Sequence, residues 1–149
     1  HHDIDGWNHR LDPIQAIILS DKLKHLDSWN RVRRHIAADY MALLTDVDGI
    51  TLPRTAEYAD VNAFHIFPIL VHNGKRDKLM LHLEKHGVPT IIHYPIALED
   101  CKCNESMKCE YNNTTAKVNQ HLLLSLPIHP FMDMEQVGYI CNTIKEFQW

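Results

Sequence analysis

Two polar residues lie close together ahead of a predicted helix near the start of the chain. Asn8 and Arg10 precede Asp12 and Pro13, a pair typical of a helix N-terminus. An amide donor in a loop before a helix suits a phosphate group, and a guanidinium pairs bidentately with a carboxylate or a diphosphate. A turn or cap role for Asn8 and an ion pair of Arg10 with a nearby aspartate explain the same residues. The pattern therefore indicates a candidate anion-binding loop.

A second polar pair, His93 and Tyr94, ends a predicted strand directly before Pro95. Ligands of α/β proteins commonly bind at the ends of strands, so this pair is a candidate binding site. A half-buried structural pair is an equally good interpretation. For His129 in L-P-I-H-P and for Trp7, a structural role is favoured.

Three of the four cysteines, Cys101, Cys103 and Cys109, lie within nine residues, and the fourth is Cys141. Structural zinc sites usually use C-x2-4-C pairs, so C-x-C-x5-C without a neighbouring H-x3-5-H is a poor match. Free thiols in a surface loop are favoured over a metal site. A disulfide framework is not expected without a secretory signal.

The composition is that of an ordinary globular domain. The chain has 149 residues, 45% of them hydrophobic and 23% charged, and a net charge of -4. This charge argues against a nucleic acid partner, and the longest apolar runs are too short to span a membrane. No secretion signal is recognisable, so we expect a cytoplasmic location.

The hydrophobic pattern predicts helices alternating with a few short strands. Asp133 with Gln136 three residues later predicts a capping box, and Gly87 predicts a left-handed helix end. Pro68 within a strand predicts an edge position or a bulge. Helices are predicted over residues 13–45, 76–86, 114–124 and 133–147, strands over residues 50–52, 64–72 and 88–94, and an extended turn over 125–130.

This order predicts an α/β or α+β layer in which helices cover a small sheet. We expect one domain over residues 1–149, composed of a site loop (1–12), a long linking helix (13–45) and a small C-terminal α/β part (46–149). So long a helix is expected to extend past the core of its own domain and to pack on something else.

Four segments, in order, resemble the C-terminal part of the DegT/DnrJ/EryC1/StrS sugar aminotransferase family. G-W-N-H-R-L-D-P-I-Q-A, starting at Gly6, is similar to the family pattern G-[YF]-N-x-R-[LM]-[DS]-x-[IL]-Q-A. The other segments are F-H-I-F-P-I-L-V, R-D-K-L-M-L-H-L-E-K-H-G-V-P-T-I-I-H-Y-P and L-S-L-P-I-H-P-F. The similarity covers nearly the whole chain.

The resemblance implies an aspartate-aminotransferase fold, a homodimer and pyridoxal phosphate as cofactor. It also implies transfer of an amino group from glutamate or glutamine to a keto-sugar nucleotide. Asn8 would reach across the dimer to the cofactor phosphate, and His93 would lie near the sugar nucleotide. Arg10 and Tyr94 are the further substrate-binding candidates.

The family's Schiff-base lysine and the acid partner of the pyridinium nitrogen precede the first of these segments, and no lysine here lies in such a motif. We therefore expect the chain alone to be inactive and to need a complementing N-terminal domain. A non-catalytic dimerisation or regulatory fragment and a small zinc-binding domain are the alternative hypotheses. Ala97-Leu98-Glu99 replaces the P-L-H of the family, which leaves the substrate open.

Overall fold

The segment predicted as one helix over residues 13–45 forms two helices in the computed structural model, which describes residues 11–59, 61–102 and 114–149. They are α1 (Pro13–Leu23) and α2 (Leu26–Leu44). The prediction of one continuous helix was wrong. The amides of Lys24 and His25 donate to carbonyls three residues back, which tightens the end of α1 and interrupts the α-helical ladder.

A three-stranded antiparallel sheet follows, in the order β1–β2–β3. Its strands are β1 (Ile50–Thr51), β2 (Phe67–Val71) and β3 (Leu123–Leu126). The sheet is accompanied by α3 (Arg76–Lys85), a 3-10 turn (Leu98–Asp100), α4 (Thr114–Asn119) and α5 (Met134–Lys145). This mixed arrangement of helices and a small sheet confirms the predicted fold class.

Two predicted elements around the sheet were wrong. The strand expected over residues 88–94 is reduced to a single bridge between Ile91 and Ser125. Pro89 and Pro95 flank this bridge and cannot donate to a ladder. The helix expected over residues 114–124 ends at Asn119, and the apolar run after it forms β3, which also takes the first residues of the predicted extended turn. Short apolar runs fit a buried strand and a buried helix alike, so periodicity could not separate the two.

Pro68 lies on the central strand and not at the predicted edge, since β2 pairs with both of its neighbours. It faces Ser125 on β3, whose backbone amide and carbonyl are both bonded to Ile91 on the far side. On the other side of β2, β1 pairs only with Leu70 and Val71 and does not reach Pro68. The missing N–H of Pro68 therefore interrupts no hydrogen bond of the sheet.

The core lies between the sheet and helices α2, α3 and α5. Tyr40 is fully buried at its centre: its hydroxyl donates to the carbonyl of Pro127 (2.8 Å) and its ring packs on Phe67 with centroids 5.0 Å apart. Burial raises the pKa of this hydroxyl well above its ordinary value, so it stays a donor. The other fully buried large side chains are Leu44, Ile69, Val71, Leu79, Leu83, Leu124, Val137, Cys141 and Ile144.

Both predicted helix-end signals are confirmed. Asp133 accepts a hydrogen bond from the amide of Gln136 (2.8 Å), and the Gln136 side chain accepts one from the amide of Asp133 (3.1 Å). Gly87 follows α3 with a φ of 73°, a conformation that costs glycine little.

The capping box leads to a stability prediction. Asp133→Ala should lower the free energy of unfolding by about 1 kcal/mol, because it leaves an amide of a core-packed helix without its acceptor. Asp12→Ala is the matched control: the Asp12 side chain also accepts hydrogen bonds from first-turn amides, those of Ile14 and Gln15, but α1 buries none of its residues. Urea denaturation should show a lower midpoint for the first variant only, and equal losses would contradict this account.

Candidate functional site

A cavity of about 320 Å³ opens beside the bridge between Ile91 and Ser125. Three polar side chains lie on its wall: those of His65, His93 and Ser125. The rest of the lining is apolar and comes from Ile66, Pro89, Ile91 and residues 126–128. An apolar cavity with a few convergent polar groups is the usual form of a small-molecule site.

His93 is held at this cavity by a buried hydroxyl. Its Nδ1 lies 2.9 Å from Oγ of Ser125, whose residue is only 5% exposed. Nε2 of His93 has no hydrogen-bond partner among the described residues, so this nitrogen is available to a ligand. The bridge at Ile91, two residues earlier, fixes the backbone that carries His93 next to β3.

Tyr94 is placed differently from His93. It is 73% exposed, does not line the cavity, and packs edge-on against the His93 ring with centroids 5.6 Å apart. It therefore contacts the imidazole while most of its own side chain stays in solvent. The other candidate site residues, Asn8 and Arg10, lie outside the described residues, as does Trp7.

His65 lines the cavity, and sequence reasoning missed it. The predicted strand began at Phe64 and so included His65, whereas β2 begins at Phe67. Phe64 has a φ of 48°, rare for a bulky residue, and its amide donates to Oδ1 of Asn62 (2.9 Å). Its side chain is buried in the core, which holds this turn and places His65 at the cavity mouth. Aromatic residues give no sequence signal for such a backbone conformation.

His129 lies at a different cavity of about 430 Å³, between α5 and the segment that carries Gly87 and Pro89. Its Nδ1 accepts a hydrogen bond from the amide of Phe131 (3.3 Å). This bond stabilises the turn before α5, which agrees with the structural role that the sequence favoured.

The acid that departs from the family pattern is paired with a lysine within the fold. Glu99 forms an ion pair with Lys117 (3.3 Å), which also lies 3.4 Å from Asp100. The hydrogen bond that Lys117 donates to Glu99 and the negative charge of Asp100 raise the pKa of Lys117, so the lysine stays protonated. Glu99 therefore does not present an isolated negative charge to a ligand.

The cysteines give no metal site within the described ranges. Cys101 Sγ donates to the carbonyl of Ala97 (3.6 Å), and no group of three or more ligating residues occurs in the part of the chain that the structure describes. Cys103 and Cys109 lie outside that part, so the zinc hypothesis stays untested. Cys141 is in the core, where burial raises its thiol pKa to about 11 and keeps it unreactive.

Helix α1 presents an apolar face that the described structure does not cover. None of its residues is buried, and Leu19 and Leu23 on this face are 55% and 67% exposed. An open groove of about 490 Å³ runs between α1 and the start of α2, with Leu19, Leu23, Leu26 and Trp29 among its lining residues. An apolar surface of this kind marks an interaction site.

One polar atom at this groove also lacks a partner. Nε of Arg33 is buried and has no acceptor among the described residues, and Nη1 is 3.4 Å from Oδ1 of Asn30. Arginine carries five donors and no acceptor, and buried donors are nearly always bonded. The groove therefore offers a partner apolar area that is lined on one side by the positively charged Arg33.

Comparisons with known proteins agree with this architecture. A family model described as the DegT/DnrJ/EryC1/StrS aminotransferase family matches residues 1–145. The chain is 39% identical to the erythromycin biosynthesis sensory transduction protein EryC1 of Saccharopolyspora erythraea, over 97% of its own length and 39% of that protein. It is 36% identical to a dTDP-3-amino-3,4,6-trideoxy-alpha-D-glucose transaminase of Streptomyces venezuelae, over 98% of the chain and 38% of the relative.

A solved structure shares the fold. The crystal structure of S. venezuelae DesV in complex with a ketimine intermediate superposes with a TM-score of 0.85 and 33% identity, over 98% of this chain and 39% of that one. The fold is therefore that of the C-terminal part of an aminotransferase. The chain belongs to the DegT/DnrJ/EryC1/StrS aminotransferase family, and it spans about two fifths of the length of the relatives it matches.

None of the helices in the described part of the chain combines the length and apolar character needed to cross a bilayer.

The uncovered face of α1 predicts self-association of the 149-residue chain. Replacing Leu19 and Leu23 together by glutamine should shift the chain towards the monomer in sedimentation velocity, because it removes exposed apolar area without disturbing the core. Leu81→Gln, at a 50% exposed position on α3, is the control and should change nothing. A monomeric unmodified chain would argue against this role for the face.

Proposed function

We propose that this chain is the C-terminal part of a pyridoxal-phosphate-dependent aminotransferase. The enzyme would transfer an amino group from glutamate or glutamine to a keto-sugar nucleotide in the cytoplasm. By itself the chain would be inactive, because the Schiff-base lysine would come from a complementing N-terminal domain. The active assembly would be a homodimer.

One observation carries the proposal: the match to the aminotransferase family runs from residue 1 to residue 145, yet covers only about two fifths of each relative. Because the match spans nearly the whole chain, it supports roles for these residues like those of the corresponding residues in the family. The partial coverage of the relatives supports a site that is completed by residues beyond this sequence. The name of the S. venezuelae relative, a transaminase of a dTDP-linked amino sugar, supports a nucleotide sugar as the substrate class.

His93 is the described residue that best suits contact with the substrate. His93 lines a cavity with mostly apolar walls, where a hydrogen bond from its free Nε2 to a sugar hydroxyl or a phosphate oxygen would be strengthened by the low local dielectric. Tyr94, packed on the imidazole, would keep the ring in place and contribute its exposed hydroxyl. Arg10 is proposed to bind the diphosphate bidentately.

The cofactor would supply the electron sink that amino transfer requires. The described lysines do not fit its covalent site: Lys117 is ion-paired, Nζ of Lys75 donates to the carbonyl of Gln148 (3.3 Å), and the other six are exposed. A Schiff-base lysine instead needs surroundings that favour its neutral form. The described residues therefore do not form a pyridoxal phosphate pocket, and Asn8 is the residue of this chain that we assign to the cofactor, at its phosphate.

The face of α1 supports a second candidate, a non-catalytic fragment that dimerises with a complete enzyme. Its exposed leucines and isoleucines would be covered by the complete enzyme in this case. The two candidates differ in whether a lysine that carries cofactor belongs to the same polypeptide.

Borohydride reduction of the protein from its native source separates them. Reduction fixes a Schiff base as a stable amine, so peptide mass spectrometry locates the modified lysine. We expect an intact mass well above 17.4 kDa and the adduct on a lysine outside these 149 residues. A mass of 17.4 kDa without an adduct would overturn the enzymatic proposal and favour the fragment.

Asn8→Ala in the complete enzyme should weaken cofactor binding by about 1–3 kcal/mol, the cost of a lost hydrogen bond to a charged group. Equilibrium dialysis of pyridoxal phosphate measures the change. The control is Asn142→Ala, since Asn142 is exposed on α5 and its side chain makes no hydrogen bond to the described residues. Equal affinity of the Asn8 variant and the unmodified enzyme would remove Asn8 from the site.

A further inference from the structure

Ser125 has a buried hydroxyl that the sheet itself does not use. The backbone amide of Ser125 donates to the carbonyl of Ile91 (2.8 Å), and its carbonyl accepts from the amide of Ile91 (3.3 Å). The side chain takes no part in this pairing. Within the described ranges its only hydrogen-bond partner is Nδ1 of His93, at 2.9 Å.

The number of available acceptors decides the direction of this bond. A serine hydroxyl carries one proton, and a buried proton without an acceptor costs about 1–3 kcal/mol. If Nδ1 of the neutral imidazole carried the ring proton, the hydroxyl proton would have no acceptor among the described groups. If Nδ1 is unprotonated, its lone pair accepts a hydrogen bond from the hydroxyl. Only this tautomer gives both the Ser125 hydroxyl and Nδ1 of His93 a partner.

We propose that Ser125 is a positioning residue that donates its hydroxyl proton to Nδ1 of His93 and thereby fixes the tautomer and orientation of the imidazole. The ring proton is then on Nε2, the nitrogen without a protein partner. His93 offers the cavity a hydrogen-bond donor in its neutral form, and the ligand group that fits is an acceptor oxygen of a hydroxyl, carbonyl or phosphate.

The surroundings strengthen this arrangement. Ser125 and His93 both line the 320 Å³ cavity, whose other walls are mostly apolar, so water competes weakly for their bond. Tyr94 packs edge-on against the ring, and the bridge at Ile91 holds the backbone two residues before it. The part of this inference that concerns a ligand rests on the proposed function, whereas the tautomer rests on the Ser125–His93 hydrogen bond and on the lack of another acceptor for the serine proton among the described residues.

The test is a two-bond proton–nitrogen NMR spectrum of the ¹⁵N-labelled 149-residue chain, at a pH where His93 is neutral. The spectrum shows which ring nitrogen of His93 carries the proton. We expect the Nε2–H tautomer alone in the unmodified chain. In Ser125→Ala, the Nδ1–H tautomer should appear, and contacts between the His93 ring and β3 should weaken in nuclear Overhauser spectra.

Two further variants separate positioning from general stability. Thr143→Val removes another buried hydroxyl, 2% exposed and bonded to the carbonyl of Tyr139 (2.8 Å), and should leave the His93 signals unchanged. Ser125→Cys keeps the shape of the side chain but provides only a weak donor, so its spectrum should be intermediate. If the alanine variant does not fold, the His93 tautomer is measured in the cysteine variant instead. An Nδ1–H tautomer in the unmodified chain, or unchanged His93 signals in both Ser125 variants, would overturn the inference.

A kinetic measurement on the complete enzyme tests the connection to substrate. Ser125→Ala should raise KM for the nucleotide sugar about threefold to tenfold, the range for one hydrogen bond, and leave KM for the amino donor unchanged. Thr143→Val should change neither value. Suppose that the spectrum shows the Nε2–H tautomer but the enzyme does not act on nucleotide sugars. This result would refute the proposed function and leave the Ser125–His93 assignment intact. The reverse outcome, activity with the Nδ1–H tautomer, would refute only the assignment.

Discussion

The pairing of Ser125 is the constraint on which the sheet and the candidate site both depend. Its backbone groups bond to Ile91 and so turn away from β2. This leaves Pro68 in a position of the central strand where no amide is required. The same pairing brings the segment with His93 beside β3, close enough for the serine hydroxyl to reach the imidazole. A one-residue shift of β3 would move the hydroxyl to the other face of the sheet and separate it from His93.

The elements predicted well are those determined by local interactions. The capping box at Asp133 and the left-handed Gly87 are encoded within a few residues, and the structure has both. The elements predicted poorly depend on distant partners. Residues 88–94 make one bridge because only Ile91 meets β3, and the apolar residues after Asn119 become a strand because β2 is there to pair with them. The periodicity of the sequence does not show which strand either segment will pair with.

The candidate site also contains residues that local sequence indicates and residues that depend on distant contacts. His93 was recognisable because it ends an apolar run before a proline and occurs in a segment that resembles a known family. Ser125 occurs in another of those segments, L-S-L-P, but nothing in its sequence spacing connects it with a histidine 32 residues earlier. His65 depends on the unusual backbone of Phe64, a conformation maintained by burial of the phenyl ring and not by any local sequence preference. Tyr94, which the sequence analysis grouped with His93, faces solvent and does not line the cavity.

The break after Leu23 leaves α1 as an 11-residue helix that buries none of its residues. Helices of this length are marginal in water unless tertiary contacts support them. Its order therefore depends on whatever covers its apolar face. Asp12, which caps this helix, follows Asn8 and Arg10 closely in the sequence. If Asn8 and Arg10 have the roles proposed above, subunit association and cofactor binding would be thermodynamically coupled. Each event would strengthen the other by the same free energy, so cofactor affinity would rise with protein concentration.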